Sequence, residues 1–413
     1  MKKVNLLGIN LSTLNSQQIY QQIENFLIDN KQHYIVTVNP EFILTAQADE
    51  EFFYLLNQAD LAIVDGAGLK IAGWLVDKNL TRITGADLVE QLLILAQRSG
   101  KKVAIAVWSQ GLSSPEEIEH SLKQKYPKLN FFVQSVEREA GQEINQLQSL
   151  AAEILFVNLG APWQEKFIYH NLAKLPTVKL AVGVGGSFDY LTGKIQRAPK
   201  FLRILGLEWL WRLAKQPWRW ERIYRAVIVF SYKFFIWRYV QPLLYRPNVV
   251  CLLYKKESRR ATTNDAHLPA QEGVNNKEAI YKILITERLD EPGHWQLPQG
   301  GTDDQNLIRA GQRELSEEIS TDKFRALATF KNLWKYKWDK NIKITKRRNG
   351  YRGQKQGLFI AEFLGQDSDI KVNFWEHRGW KWVEQEKLVE AVHAVRKQAT
   401  KIFLEKFEQT VKS

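Results

Sequence analysis

Cysteine is nearly missing from this 413-residue chain, which has only Cys251. An intrachain disulfide is therefore excluded, and the composition suits a reducing compartment. Long apolar runs are missing as well. The longest candidate, AVIVFSYKFFIW, falls short of the roughly 18 uncharged residues of a membrane span and carries Lys233. The opening MKKVNLLGINLSTLNSQQIY starts basic, but Asn5 and Asn10 break its apolar run and no small-residue cleavage site follows. No signal peptide is expected. Neither GxGxxG nor a P-loop occurs, and no internal repeat is visible. Acidic residues are the minority, 45 Asp and Glu against 58 Lys and Arg, for a formal net charge of +13. The expected location is the cytoplasm, with any membrane contact peripheral and on the inner face.

What is present is globular in character, with 45% hydrophobic and 25% charged residues. The length predicts two domains. Over the first 200 residues apolar runs alternate with amphipathic segments. HYIVTV, ADLAIVDG, KKVAIAVW, AEILFVNLG and VKLAVGVGG read as buried parallel strands. GADLVEQLLILAQRSG reads as a helix with a Gly stop. The expected fold class is α/β: an open parallel, Rossmann-like sheet over residues 1–200, then a basic helical appendage over 201–245. RPNVVCLLYKK, AIYKILITERL and GLFIAEFLG predict strands of a second domain over 246–413, with a final helix from about Glu384. The polar stretch at about 257–278 is either an interdomain linker or, the reading favoured, an insertion between two strands of that domain.

Ligands of open parallel sheets sit beyond the carboxyl ends of the strands. Four such ends carry polar groups: Thr37, Asn39 and Glu41 in VTVNPEF; Asp65 in IVDGAGL; Asn158, Gln164 and Lys166 in FVNLGAPWQEKF; and Gly185, Gly186, Ser187 and Asp189 in GVGGSFDYLTGKIQRAP. Glycines at such turns let backbone N–H groups approach a phosphate, and Arg82 in RITGADL is a candidate phosphate partner. Taken singly, each is equally well explained by ordinary turn chemistry. Asp65, which ends an apolar strand, is the exception, because a carboxylate there needs partners or water.

In this order and spacing, VNPEF, DGAGL, RITGADL, NLGAPWQEKF and GVGGSFDYLTGKIQRAP resemble the WecG/TagA/CpsF glycosyltransferase family over about residues 1–240. The resemblance implies inverting transfer of an N-acetylhexosamine, typically N-acetylmannosamine, from a UDP-sugar to a polyprenyl-diphosphate-linked sugar, without a metal cofactor. It implies Asp65 as general base, Thr37 and Asn39 lining the acceptor or sugar pocket, and Arg82 and Gln164 as substrate contacts. An inverting transfer needs a base on the acceptor hydroxyl and cationic or N–H stabilisation of the leaving diphosphate.

Residues 201–246 hold nine Lys or Arg against two Glu, interleaved with five Trp. A basic aromatic stretch suits an anionic bilayer surface. The resemblance makes Arg212, Arg219, Arg222 and Arg225 candidates for the acceptor diphosphate. The alternatives are a solvated helix that packs its Trp face on the core, and nucleic-acid binding.

Glu314, Glu317 and Glu318 stand at i, i+3 and i+4 of a predicted helix. Clustered carboxylates repel unless a cation such as Mg²⁺ neutralises them. GHWQLPQGG and RELSEEIS together resemble the Nudix hydrolase signature. With RPNVV, GQKQGLFIAEF and EHRGWKWV they are similar to its RNA pyrophosphohydrolase and diadenosine-polyphosphate hydrolase branch. The resemblance implies an α/β/α sandwich and Mg²⁺-dependent hydrolysis of a nucleoside diphosphate derivative. Glu314, Glu317, Glu318 and Glu376 would hold metal, with Glu314 and Glu317 also catalytic. Arg313 would orient carboxylates, and Gln354, Lys355 and Gln356 would face substrate phosphate. Gln305 stands where the pattern has a Glu, Ser320 where it has a Gly, and the intervening loop is one residue short. The alternative for this half is a non-catalytic nucleotide sensor. For the whole chain it is a membrane-docked scaffold. Expected partners are a UDP-sugar, a polyprenyl-diphosphate acceptor, an anionic membrane and a nucleotide diphosphate. Nucleic acid is not expected beyond an RNA 5′ end at the Nudix site.

Overall fold

The computed structural model describes residues 2–138, 147–148, 151–258, 279–338 and 350–412. Most of the polar stretch at 257–278 lies outside them. The chain divides into two compact units between Tyr239 and Val240.

The first unit opens with the antiparallel hairpin β1 (Lys3–Leu6) and β2 (Ile9–Ser12). Its sheet contains β3 (His33–Val38), β4 (Leu61–Val64), β5 (Val103–Trp108), β6 (Phe131–Val136), β7 (Ile154–Asn158) and β8 (Leu180–Gly183). These six run parallel in the order β4-β3-β8-β7-β5-β6. Side chains alternate across a pleated strand. Ile35 and Ile63 accordingly enter one core while Val36 and Val64 enter the other. With both faces covered, β3, β4 and β8 are buried along their whole length. The covering helices are capped by their own sequence. In Gly85–Ser99 the Thr84 side chain accepts from the Asp87 N–H, Leu88, Leu92 and Ala96 recur on the buried face, and Gly100 stops the helix at φ +66°. The β1–β2 hairpin and edge strand β6 were not among the expected strands. β6 carries Gln134 and exposed Ser135, which interrupt the apolar signal.

The basic segment is helical, over Lys200–Ile204, Glu208–Lys215, Trp220–Tyr224 and Phe230–Phe235, with a π-helical turn at Arg225–Val229. Phe230, Phe234 and Trp237 join the first core, whereas Trp218 is 74% and Trp220 62% exposed. One group of aromatics therefore packs inward and another faces solvent. No described helix is long and apolar enough to cross a membrane.

The second unit has a mixed sheet: β9 (Tyr245–Ser258), β10 (Ala279–Arg288), β11 (Trp295–Gln296), β12 (Gln299–Gly301), β13 (Phe324–Lys337), β14 (Gly353–Phe363) and β15 (His377–Glu384). Among the described residues of this sheet, only the pairing of β14 with β9 is parallel. Helix Leu307–Ile319 packs with Val249, Cys251, Leu253 and Phe359 on one face. Phe403 and Phe407 of helix Lys397–Lys412 pack with Val250, Leu252 and Ile360 on the other. The polar stretch joins β9 to β10, which pair with each other. The last helix starts at Lys397, not near Glu384. Glu384 ends β15, whose Glu384↔Lys282 and Val383↔Ile283 pairings satisfy the backbone in the sheet. Strand β13 was also unexpected; its mixed, largely exposed pattern gives no period-2 signal.

Gly311 lets helix Leu307–Ile319 lie against β14, since an added Cβ would stand 2.3 Å from Phe359 Cγ. Ser320 ends this helix in the left-handed region at φ 56°, which explains why the Nudix pattern has glycine there. Gly311→Ala is expected to destabilise the second unit by about 1–3 kcal/mol through overpacking, despite alanine's better helix propensity. Ser320→Gly should instead be neutral or stabilising by up to about 1 kcal/mol. Urea unfolding of the two variants measures both signs.

Two candidate active sites

The first site forms at the carboxyl ends of β3, β4 and β8. β3 lies between β4, which follows it, and β8, the last strand in sequence. Such a reversal of strand order opens a crevice. Asp65 is the residue after β4. Its backbone N–H donates to Val38 O at 2.8 Å, and the Gly85 N–H, at the start of a fifteen-residue helix, donates to its carboxylate. Burial pushes the Asp65 carboxyl up to about 6, against the opposing pull of the Arg212 and Arg82 guanidinium groups. Gly85 has to be small, because a Cβ would come 3.1 Å from Ser187 Oγ and 3.6 Å from Thr37 Oγ1. Thr37 is buried, with its hydroxyl 3.4 Å from Gly183 O. Asn39 caps the following helix, its Oδ1 accepting from Phe42 N at 3.1 Å.

Arg82 spends its donors on the protein: Nε to Asp65 O at 2.8 Å, Nη1 to Arg203 O at 2.9 Å and Nη2 to Glu208 Oε2 at 3.1 Å. Glu208 also accepts from Arg212 Nη2 at 3.2 Å. Arg212 stands over the Tyr190 ring, 5.4 Å from its centroid. Burial, then the neighbouring Arg222 and Arg212 charges, hold the Arg219 guanidinium below its ordinary pKa. The basic segment thus returns cations to the rim of the Asp65 crevice. Sequence reasoning missed Glu208, the carboxylate that ties this segment to Arg82; its only signal was being one of two acids among nine cations.

Two expectations need correction. Gln164 is only 1% exposed, and both ends of its amide are taken. Its Nε2 donates to Glu165 Oε1 at 2.7 Å and its Oε1 accepts from Gly185 N at 2.8 Å. It shapes the turn at Gly185 (φ +49°) rather than opening onto a cavity. Arg222 makes a bidentate pair with Glu41, at 2.9 and 2.8 Å, so its fork is already occupied. Gly186 is fixed by Asp189, whose Oδ2 would meet an added Cβ at 2.7 Å. Arg225 is exposed on the segment's surface.

The second site surrounds helix Leu307–Ile319. Its buried stripe is Leu307, Ala310, Gly311, Glu314, Leu315, Glu318 and Ile319, so two of the three carboxylates face inward. Glu317 does not; its side chain is 51% exposed. Glu314 lies over Gly300, where a Cβ would fall 1.6 Å from Glu314 Oε2, so only glycine fits. Arg313 contacts Glu314 Oε1 at 2.9 Å, Glu317 Oε2 at 3.1 Å, Gly301 O at 2.8 Å and Gln305 Oε1 at 3.2 Å. The residue that departs from the Nudix pattern, Gln305, thus accepts a bond from the motif arginine.

The expected trio does not gather around one point, because Arg313 holds Glu314 and Glu317 together while Glu318 turns elsewhere. Glu318 Oε1 accepts from Gln299 N at 2.9 Å, and its Oε2 lies 3.0 Å from His377 Nε2. Glu318, Glu376 and His377 each offer a ligand atom, all within 4.8 Å of one another. Glu376 thus lies beside Glu318, together with His377, which sequence reasoning did not single out. The donor set fits a divalent cation, because Glu318 Oε2 and His377 Nε2 are buried without a well-formed hydrogen bond among the described residues, while the Glu287 backbone faces the His377 ring. Gln356 is buried in an amide network, its Nε2 donating to Gln299 Oε1 at 2.8 Å. Gln354 Oε1 accepts from the Tyr336 hydroxyl at 2.5 Å. Lys355 is exposed on the opposite face of β14, as strand alternation requires, and does not join the two glutamines.

Comparison with known proteins now bears on both sites. The glycosyl transferase WecG/TagA/CpsF family matches residues 4–242. The chain belongs to this family. A NUDIX domain matches residues 274–405. The N-acetylglucosaminyldiphosphoundecaprenol N-acetyl-beta-D-mannosaminyltransferase of Bacillus subtilis (strain 168) is 32% identical over 205 residues, 49% of this chain and 79% of that protein. The protein of the same name from Staphylococcus aureus (strain MRSA252) is 28% identical over 238 residues, 56% of this chain and 91% of that one. A solved C. elegans Ap4A hydrolase is 17% identical, covering 40% of this chain and 98% of that one, with a TM-score of 0.27, too weak to decide fold or activity.

Asp65 is expected to cost stability. Its folded pKa of about 6 lies above the roughly 3.9 of an unfolded chain. The native state therefore holds the proton more tightly, and stability falls as pH rises from about 4 to 6. Asp65→Asn should match the parent chain below about pH 4 and exceed it by about 3 kcal/mol above pH 7, measured by urea unfolding across pH.

Proposed function

We propose that the first unit is an inverting sugar transferase. It moves an N-acetylhexosamine, N-acetylmannosamine by analogy with the relatives, from a UDP-sugar to a polyprenyl-diphosphate-linked sugar in cell-surface polymer synthesis. The observation that carries this reading is Asp65: a carboxyl at a strand end, raised to about 6 by burial, beside a helix N-terminal amide and two arginines. A base of that pKa is ionised at neutral pH yet retains proton affinity. Asp65 takes the acceptor hydroxyl's proton as that oxygen attacks the anomeric carbon, and the bond to the UDP oxygen breaks on the opposite face. In this reading Arg212 and Arg219, with the Gly185 and Gly186 turn, stabilise diphosphate charge. On the same reading Thr37 and Asn39, at the end of β3, face the sugar or acceptor, and Arg82 holds the Asp65 carbonyl.

The same chain docks peripherally on an anionic membrane through its helical segment. Trp218, Trp220, Ile204 and Leu205 are exposed beside Arg and Lys, the composition of an interfacial surface. Residues 246–413 act as a Nudix hydrolase on a nucleoside diphosphate derivative. Glu318 and Glu376 would hold a divalent cation, whose chemistry there would be Lewis-acid polarisation of the diphosphate. Arg313 fixes Glu314 and Glu317 against the motif loop, and Gln299 fixes Glu318.

Asp65→Asn is expected to lower transfer from a UDP-sugar to a short-chain lipid acceptor at least 100-fold, and kcat/KM of the parent chain should fall below about pH 6. Mass spectrometry of products checks both, and full transfer by the variant refutes the base assignment. Sedimentation with phosphatidylglycerol vesicles should be strong at low salt and lost at high salt. Equal binding to neutral vesicles would count against docking by charge.

A further inference from the structure

Outside the Asp65 crevice, two His/Glu groups bring ligand atoms together among the described residues: Glu291, His294 and His393, and Glu318, Glu376 and His377. The first is a poor ion site. The His294 and His393 rings stack with centroids 4.0 Å apart at 11°. Their in-plane lone pairs therefore run in parallel planes and do not converge on one ion. Arg288 and Arg396 also face His294.

The second group has the opposite geometry. We propose that His377 is a direct metal ligand, binding one first-row divalent cation together with Glu318 and Glu376, so that this site prefers Mn²⁺ to Mg²⁺. The inference rests on the Nudix reading of the same site and adds a nitrogen donor to the carboxylates which that reading expects.

Four observations carry it. His377 Nε2 and Glu318 Oε2 are 3.0 Å apart, and both side chains are 3% exposed. At that distance neither atom forms a well-aligned hydrogen bond within the described residues. Two adjacent donors on an octahedral ion, with bonds of about 2.1 Å, are themselves ~3.0 Å apart. Both donors are also held from behind: Gln299 N engages the other oxygen of Glu318, and the His377 backbone N–H donates to Asn373 O at 3.2 Å. Asn373 Oδ1 accepts from Glu376 N at 3.0 Å, which fixes the third donor's loop.

The charge balance agrees. Glu318 and Glu376 set two carboxylates against the His377 ring. A divalent cation among these groups would balance that charge with the imidazole neutral, the form in which histidine binds metal. Magnesium is a hard ion that takes oxygen ligands, whereas imidazole favours first-row transition ions. One nitrogen among the ligands therefore shifts preference away from the expected Mg²⁺.

Pulsed EPR of the full-length chain loaded with Mn²⁺ tests this. The expected spectrum shows nitrogen coupling from a directly bound imidazole. His377→Gln should abolish that coupling and weaken Mn²⁺ binding about tenfold or more, with a smaller loss for Mg²⁺ measured by competition. Bound Mn²⁺ without nitrogen coupling in the unsubstituted chain overturns the inference, whether or not the variant folds. If that same preparation with Mg²⁺ still hydrolyses members of a nucleoside diphosphate panel, the Nudix reading stands without it. Failure both to bind Mn²⁺ and to turn over any panel member overturns the two together.

Discussion

A carboxylate withdrawn from water has to be compensated by its immediate surroundings, and both halves of this chain are organised around that constraint. At Asp65 the compensation is partial: one backbone amide and two guanidinium groups leave the carboxyl raised to about 6. At Glu314 and Glu318 it is divided. Arg313 neutralises the first, while the second faces His377 across 3.0 Å. In each case the imbalance marks the atom assigned chemistry, because a fully satisfied carboxylate has no affinity left for a proton or an ion.

The two units reach this state by different local means. The parallel sheet delivers its polar residues at strand ends, where the chain must leave the core and backbone N–H groups become available. Glycine at position 85 then brings Thr37 and Ser187 close without a side chain between them. The second unit instead places acids on the buried stripe of a helix, with Gly300 leaving room for one of them. Its supporting shell is made of amides, Gln296, Gln299, Gln356 and Asn248, which bond to one another and demand no counter-charge.

Much of this was legible in the residues alone. The five buried parallel strands stand where continuous Val, Ile and Leu runs predict them, because a strand covered on both faces has no polar alternation to confuse the reading. Edge strands β6 and β13 were not legible, since one side of an edge meets solvent and accepts almost any residue. Within the sites, residue type indicated Asp65 and the glutamate helix, but not how donors are divided. That Gln164 is spent on Gly185 and Arg222 on Glu41 depends on contacts between residues 21 and 181 positions apart. His377 escaped notice because a lone histidine beside a glutamate has no spacing signature.

Arg82 has a consequence that reaches past its own position. It bonds at one end to the main-chain oxygen of Asp65 and at the other to Arg203 and Glu208 of the helical segment. That segment also carries the exposed tryptophans. A tilt or shift of the segment is therefore transmitted through one rigid planar group to the backbone that aims the base. The helical segment and the strand end that carries the base are thereby joined through a single side chain.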